Sequence, residues 1–268
     1  MFSIANPAKH KLAAGEFVLC MAIRQLSTVN AALMVASCGF DALYVDREHG
    51  VLSDEAASQL CLMARAVGLT PLVRVKSAAE SHIAEALEGG ALGVIVPHVQ
   101  DAAEAEAVVL RAKFPPLGHR SVAAMSPATG YAALPIAEGI QAQNEATMII
   151  AMLETPEAVS NARAIAAVRG IDALMVGPND LTAALGVAIG SADQHLEDAY
   201  TTIAAACDAE GKHWVAGGAG RGLLPMCISL GARFIMGGND VGYLLSAARR
   251  DAAILREAIG PPGRNVVS

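Results

Sequence analysis

The chain has 268 residues, with 19 Lys or Arg against 26 Asp or Glu, a formal net charge of −7 with His neutral. Hydrophobic residues make up 54% and charged residues 17%, so a large core is available and disorder is not the default. An acidic chain without a Lys/Arg tract is a poor partner for nucleic acid or an anionic membrane, because both need clustered positive charge. No segment approaches the roughly 18 uncharged apolar residues of a spanning helix. Met1 to Lys11 lacks the basic region and apolar stretch of a secretion signal, so a cytoplasmic protein is expected. Cys20, Cys38, Cys61, Cys207 and Cys227 are odd in number, widely spaced and without a CxxC pair. They are expected to pack in the core rather than to form disulfides or a zinc knuckle.

In chain order, the expected strands are Phe17–Ile23, Ala42–Glu48, Thr70–Lys76, Gly93–Val99, Met148–Glu154, Ala173–Gly177, His213–Gly217 and Phe234–Gly238. Most are continuous apolar runs, as parallel strands covered on both faces require. Ala-rich segments of helical period lie between them. Ser77-Ala78-Ala79-Glu80 reads as a capping box, and Gly89-Gly90 as the end of that helix. Thr155-Pro156-Glu157 supplies an N-cap, a proline at the first helical position and an acid in the first turn, with Gly170 expected to end the helix. Eight strand–helix repeats predict a single α/β domain over residues 1–268, a (β/α)₈ TIM barrel. A doubly wound open sheet has the same periodicity and remains the alternative. Two intervals are longer than the others. Phe114 to Gln143 contains a Gly118–Tyr131 loop whose length points to a functional role, and Leu181 to Gly211 reads as an additional helical stretch.

A barrel places its chemistry at the C-terminal ends of its strands. Those ends carry Asp46-Arg47-Glu48-His49-Gly50, Arg74-Val75-Lys76, Pro97-His98, Glu154, and Gly177-Pro178-Asn179-Asp180. The last two carry Gly217-Gly218-Ala219-Gly220 and Gly237-Gly238-Asn239-Asp240. Glu154 and Asp180 would approach across neighbouring strands and offer hard oxygens to Mg²⁺ or Mn²⁺; equally, they could be an ordinary strand-end acid and an ordinary first-turn acid. His49 stands beside Asp46 and Glu48, either of which could orient its ring. Arg74 sits in an apolar run, which calls for a paired or anion-facing guanidinium. The free N–H groups where Gly177–Asp180 opens a helix could receive a carboxylate or phosphate.

These residues resemble the HpcH/HpaI family of metal-dependent pyruvate aldolases, of the 4-hydroxy-2-oxoheptanedioate and 2-dehydro-3-deoxyglucarate aldolase type. The matching stretches are Gly39-Phe40-Asp41 leading into Asp46–Gly50, Pro71–Arg74, Val96-Pro97, Pro115–Arg120, Leu153-Glu154-Thr155 and Val176–Leu181. They run in order from about Gly39 to the Gly237–Asp240 turn. The resemblance implies Glu154 and Asp180 as ligands of a divalent cation (Mg²⁺ or Mn²⁺, with Co²⁺ a further choice). It implies His49 as acid/base with Asp46 its partner, Arg74 as stabiliser of the enolate oxygen, and the N–H groups of Asn179 and Asp180 as the carboxylate site. It implies a small-molecule 2-oxo acid and an aldehyde as substrates, and a hexamer built as a trimer of dimers with the last helix exchanged between subunits.

The sequence departs from the family pattern at Met152, where a Gln is usual, and at Arg120-Ser121, where Arg-Gly is usual. The turn after the first strand carries Arg24, which would favour an anionic acceptor or a hydroxylated acid. His98 occupies a variable position and either touches substrate or fills space. Three competing readings stand beside the aldolase. One is a Schiff-base enzyme using Lys76, which alternation places on the face of Arg74. The second is a lyase for acyl-CoA or citryl-type substrates, and the third a non-catalytic 2-oxo-acid-binding barrel.

Overall fold

A computed structural model describes residues 4–123, 125–187, 194–218 and 220–259. Ala219 of the expected glycine-rich turn and residues 188–193 of the second long interval lie outside the described residues. The elements are α1 (Pro7–Ala13), β1 (Val18–Ile23), α2 (Asn30–Ser37), β2 (Ala42–Asp46), α3 (Asp54–Ala66), β3 (Thr70–Arg74), α4 (Glu80–Glu88), β4 (Gly93–Val96) and α5 (Ala102–Ala112). Then follow α6 (Ile136–Ala146), β5 (Met148–Leu153), α7 (Pro156–Ser160), α8 (Ala162–Ala167), β6 (Ala173–Val176), α9 (Pro178–Leu185) and α10 (Gln194–Ala209). The last are β7 (His213–Ala216), α11 (Gly220–Ser229), β8 (Phe234–Asn239) and α12 (Asp240–Ile259).

The eight strands are parallel and close into a barrel in sequence order, β8 pairing back to β1. The open sheet is thereby excluded. The two-residue period of the strands sorts their side chains. Cys20, Tyr44, Leu72, Ile95, Met152, Met175 and Phe234 belong to the barrel interior. The alternate residues Leu43, Val45, Val73, Val94, Ile149 and Leu174 pack in the outer layer with the helices. Continuing the inward period by one step puts Asp46 after Tyr44, Arg74 after Leu72 and Glu154 after Met152, all at the C-terminal mouth. Asp46 and Arg74 are direct partners in the β2–β3 register.

Three local expectations change. The strands stop at Asp46, Arg74, Val96 and Leu153, short of the expected ends at Glu48, Lys76, Val99 and Glu154. Lys76 therefore does not share the face of Arg74: it is exposed and lines a small cleft with Arg47, Asp54 and His82, outside the barrel mouth. The capping box at Ser77 does not form, since α4 starts at Glu80 behind Ala79, and Ser77 Oγ instead accepts the Ala79 N–H and contacts His82 Nδ1 at 2.9 Å. Thr155 does cap its helix, accepting the Ala158 N–H. That helix breaks at Asn161 into α7 and α8, which ends at Ala167, three residues before the left-handed Gly170.

The long loop after α5 is pinned to the outer layer. Arg65 donates to the carbonyls of Pro127 and Ala128, and Arg120 pairs with Glu88 at 2.5 Å. Four cysteines are buried and Cys38 is exposed; all five thiols are free. No described helix is long and apolar enough to cross a membrane.

Candidate active site

A cavity of about 660 Å³ opens at the C-terminal mouth. Arg24, Asp46, His49, Arg74, Met152, Glu154 and the run Gly177–Asp180 all line it, so the structure brings together the residues read as the aldolase site, while Lys76, the Schiff-base candidate, lies elsewhere. No described residue of the Gly118–Tyr131 loop contributes to this wall.

Asp46 and Arg74 form its buried base. Asp46, 1% exposed, accepts from Arg74 Nε at 3.1 Å and from Nη2 at 2.6 Å. This is the two-pronged geometry that a guanidinium offers a carboxylate. Burial opposes ionisation of Asp46, but the hydrogen bonds and charge of Arg74, the His49 backbone N–H and the charge of Arg24 outweigh it and hold the carboxyl below its ordinary range. Burial likewise disfavours the Arg74 cation, and Asp46, Tyr44 and Glu48 more than compensate. Arg74 Nη1 points at the Met152 sulfur, 3.9 Å away, and lies 3.0 Å from Glu48 Oε2. That contact is an ion pair without hydrogen-bond alignment, and Glu48 Oε2 is buried with no hydrogen-bond partner.

The pairing of His49 with Asp46 differs from expectation. Asp46 Oδ1 accepts the backbone N–H groups of Glu48 and His49, at 3.2 and 3.1 Å, so it fixes the turn and not the imidazole. The His49 side chain is half exposed, and its Nε2 lies 3.8 Å from Glu48 Oε2. Arg24 reaches the same corner, with Nε 3.3 Å from Asp46 Oδ2 and Nη2 donating to the His49 carbonyl. Its backbone is held in turn by Asp240, whose carboxylate accepts the N–H groups of Arg24, Gln25 and Leu26 at 2.8 to 3.0 Å.

On the opposite wall Glu154 is 1% exposed. Burial raises its carboxyl above the ordinary range; His98 opposes this, while the charges of Glu48 and Asp180 add to it. Gly177 makes the fit possible, since a Cβ there would lie 2.3 Å from Glu154 Cγ. Gly177 precedes α9, so the first-turn N–H groups of Asn179 and Asp180 stand at a helix start, where they have no partner within the helix.

Among the described residues no group of three or more His, Cys, Asp or Glu side chains forms a metal cage. The donor set fits a hard divalent cation nonetheless. Two carboxylates line one cavity wall, one of them buried beside further negative charge, and a cation that keeps waters or substrate oxygens needs no more from the protein. Three participants were weakly marked in the sequence. Glu48 was only a neighbour of His49, His98 a polar residue after Pro97, and Asp240 the last residue of a glycine-rich turn.

The comparisons with known proteins agree with this geometry. The family model for HpcH/HpaI aldolase/citrate lyase matches residues 25–245. A 4-hydroxy-4-methyl-2-oxoglutarate aldolase from Chaetomium globosum is 37% identical over 209 residues, 77% of this chain and 78% of the relative. Another of the same name from Hapsidospora irregularis is 34% identical over 255 residues, 92% of this chain and 94% of the relative. The crystal structure of an HpcH/HpaI aldolase from Desulfitobacterium hafniense superposes with a TM-score of 0.88 at 28% identity, covering 96% of this chain and 98% of that one. By family model, relatives and barrel alike, the chain belongs to the HpcH/HpaI aldolase/citrate lyase family.

Proposed function

We propose that the protein cleaves and forms 4-hydroxy-2-oxo acids, giving pyruvate or a pyruvate-like 2-oxo acid and a carbonyl partner, with Glu154 and Asp180 as the ligands of a divalent cation. The observation that carries this reading is the convergence of three features on one cavity: the buried Arg74–Asp46 pair, the acidic wall of Glu154 and Asp180, and the helix start at Gly177. The aldolase names of the relatives support it. Mg²⁺, Mn²⁺ and Co²⁺ all suit oxygen ligands.

When bound, the cation supplies a Lewis acid beside the 2-oxo group. The chain's own residues do the rest. The N–H groups of Asn179 and Asp180 hold the substrate carboxylate. Arg74 Nη1 meets a thioether, a weak acceptor, and an unaligned Glu48 oxygen, so a proton is available to the oxygen that becomes negative as the enolate forms. Asp46 stays ionised and fixes the guanidinium. His49 takes the proton of the 4-hydroxyl; the C3–C4 bond then breaks, its electron pair passes into the enolate, and the carbonyl partner leaves. Protonation at C3 gives the 2-oxo acid. The 3.8 Å gap between His49 and Glu48 leaves the ring free to turn to substrate.

Arg24 is placed to meet a carboxylate on the carbonyl partner, and two relatives are named for a substrate that carries a second carboxylate. We therefore favour an anionic acceptor. The assay is pyruvate release from 4-hydroxy-2-oxo acids with and without such a group, in metal-depleted and metal-restored protein. Release that EDTA leaves untouched would sink the assignment.

The assembly reading concerns α12, where Tyr243, Leu244, Ile254, Leu255 and Ile259 are exposed and only Asp240 is buried. Exposed apolar side chains along a helix left uncovered in one chain support exchange with a neighbouring subunit and a hexamer. Light scattering that reports a monomer would contradict it. The free thiols support a cytoplasmic location.

A further inference from the structure

His98 follows Pro97 at the end of β4 with φ 58°, a left-handed conformation that a non-glycine residue adopts at a cost of about 1 kcal/mol. The turn has one local consequence: it aims the backbone N–H and the ring at the same carboxylate. The N–H donates to Glu154 Oε2 at 2.8 Å, and Nδ1 lies 3.0 Å from that same oxygen. On the far side of the ring, Nε2 lies 3.1 Å from Glu48 Oε1. The second oxygen of Glu154 faces the other way, since a Cβ on Gly177 would come 2.5 Å from Oε1. Oε1 is thus turned to the start of α9, where Asp180 sits. The ring stands between two acids that would otherwise face each other, and no step described above uses it.

We propose that His98 is a positioning residue for Glu154: its backbone N–H and its ring at Nδ1 hold Oε2 and so present Oε1 toward Asp180 for the cation. The inference rests on Glu154 and Asp180 being the metal ligands. A carboxylate with both oxygens free can swing or bind through either; one with Oε2 held at its backbone and ring contacts has a single oxygen left to offer. Partners of this outer kind commonly govern metal affinity by about 10- to 100-fold. His98 also connects the metal wall to the acid/base corner, because Glu48 reaches Arg74 Nη1 at 3.0 Å and His49 Nε2 at 3.8 Å.

The test separates ring from backbone. His98→Gly accepts φ 58° without strain and keeps the N–H to Oε2 while deleting the ring. His98→Asn also tolerates the left-handed region, and its Nδ2 occupies the place of the histidine Nδ1. Mn²⁺ would be titrated into substrate-free wild type, His98→Gly, His98→Asn and Glu154→Gln, following the free-ion EPR signal and the line shape of the bound ion.

We expect wild type to bind, Glu154→Gln to lose binding, His98→Gly to bind about tenfold more weakly with an altered bound spectrum, and His98→Asn to recover part of the loss. In turnover, His98→Gly should lower kcat more than it raises KM. Affinity and spectrum of His98→Gly matching wild type would overturn the inference while the metal assignment stands, as would a His98→Asn no better than His98→Gly. Failure of wild type to bind, or undiminished binding by Glu154→Gln, would overturn the metal assignment and the inference together.

Discussion

Gly177→Ala should disable the site from a position that bears no functional group. The added Cβ would lie 2.3 Å from Glu154 Cγ, 2.5 Å from Oε1 and 2.8 Å from Cδ, whereas non-bonded carbons settle at about 3.5–4.0 Å. Relief therefore requires a shift of roughly 1 Å or more in Glu154 or in the chain at Gly177. Glu154 has little room, being 1% exposed and held by the 2.8 Å bond from the His98 N–H. Overpacking of this kind costs about 1–3 kcal/mol, or a fall in melting temperature of roughly 2–12 °C. The catalytic penalty should match the upper end of that range, since a 1 Å displacement of a catalytic group costs about 10²-fold, or about 2.7 kcal/mol. The assay is pyruvate formation by a coupled dehydrogenase, beside Mn²⁺ affinity and a melting curve on the same preparation. A folded variant with wild-type affinity and turnover would refute the argument that the missing side chain makes room for the ligand.

Asp46→Asn breaks a buried two-pronged pair and should cost about 3–5 kcal/mol of stability. Because the Asp46 carboxyl is held low in the folded protein, its contribution is present above the unfolded carboxylate value and is lost as pH falls through the folded one. The gap in stability between wild type and variant should therefore shrink on acidification, and denaturant titrations showing a constant gap would contradict the pairing. Arg24→Ala should lower kcat/KM for carboxylate-bearing acceptors by about 10- to 100-fold more than for neutral aldehydes, the range of a charged hydrogen bond; a uniform change across acceptors would count against it. Lys76→Ala should turn over normally, and borohydride with pyruvate should leave the wild-type mass unaltered, because Lys76 lies outside the cavity.

The parallel strands were legible because strands covered on both sides must be apolar throughout; their closure into a barrel rests on the β8–β1 pairing, which periodicity does not distinguish from an open sheet. The strand ends were read one or two residues too long at Glu48, Lys76 and Glu154. Composition marks where apolar character stops, while the ladder stops where hydrogen bonding does. That difference matters at Lys76: alternation holds only inside a strand, and β3 ends at Arg74. The site residues were legible as a set because the inward period carries Tyr44 to Asp46, Leu72 to Arg74 and Met152 to Glu154. Their pairing was not. Nearness in sequence left Asp46 or Glu48 beside His49, and the family resemblance chose Asp46, whereas the fold gives Asp46 to Arg74 across the β2–β3 register, leaves it only a backbone contact with His49, and puts Glu48 nearer the ring. The role of His98 depends on a left-handed backbone, which side-chain identity does not encode.

In the proposed reaction Glu154 and Asp180 hold a divalent cation that serves the aldol chemistry. Pyruvate release from a 4-hydroxy-2-oxo diacid, measured after EDTA treatment and again with Mg²⁺ or Mn²⁺ restored, tests it directly in wild type and in Asp180→Ala. The expected result is release that EDTA abolishes and metal restores in wild type, and none in folded Asp180→Ala. Release that persists without metal, or is undiminished in Asp180→Ala, would contradict it.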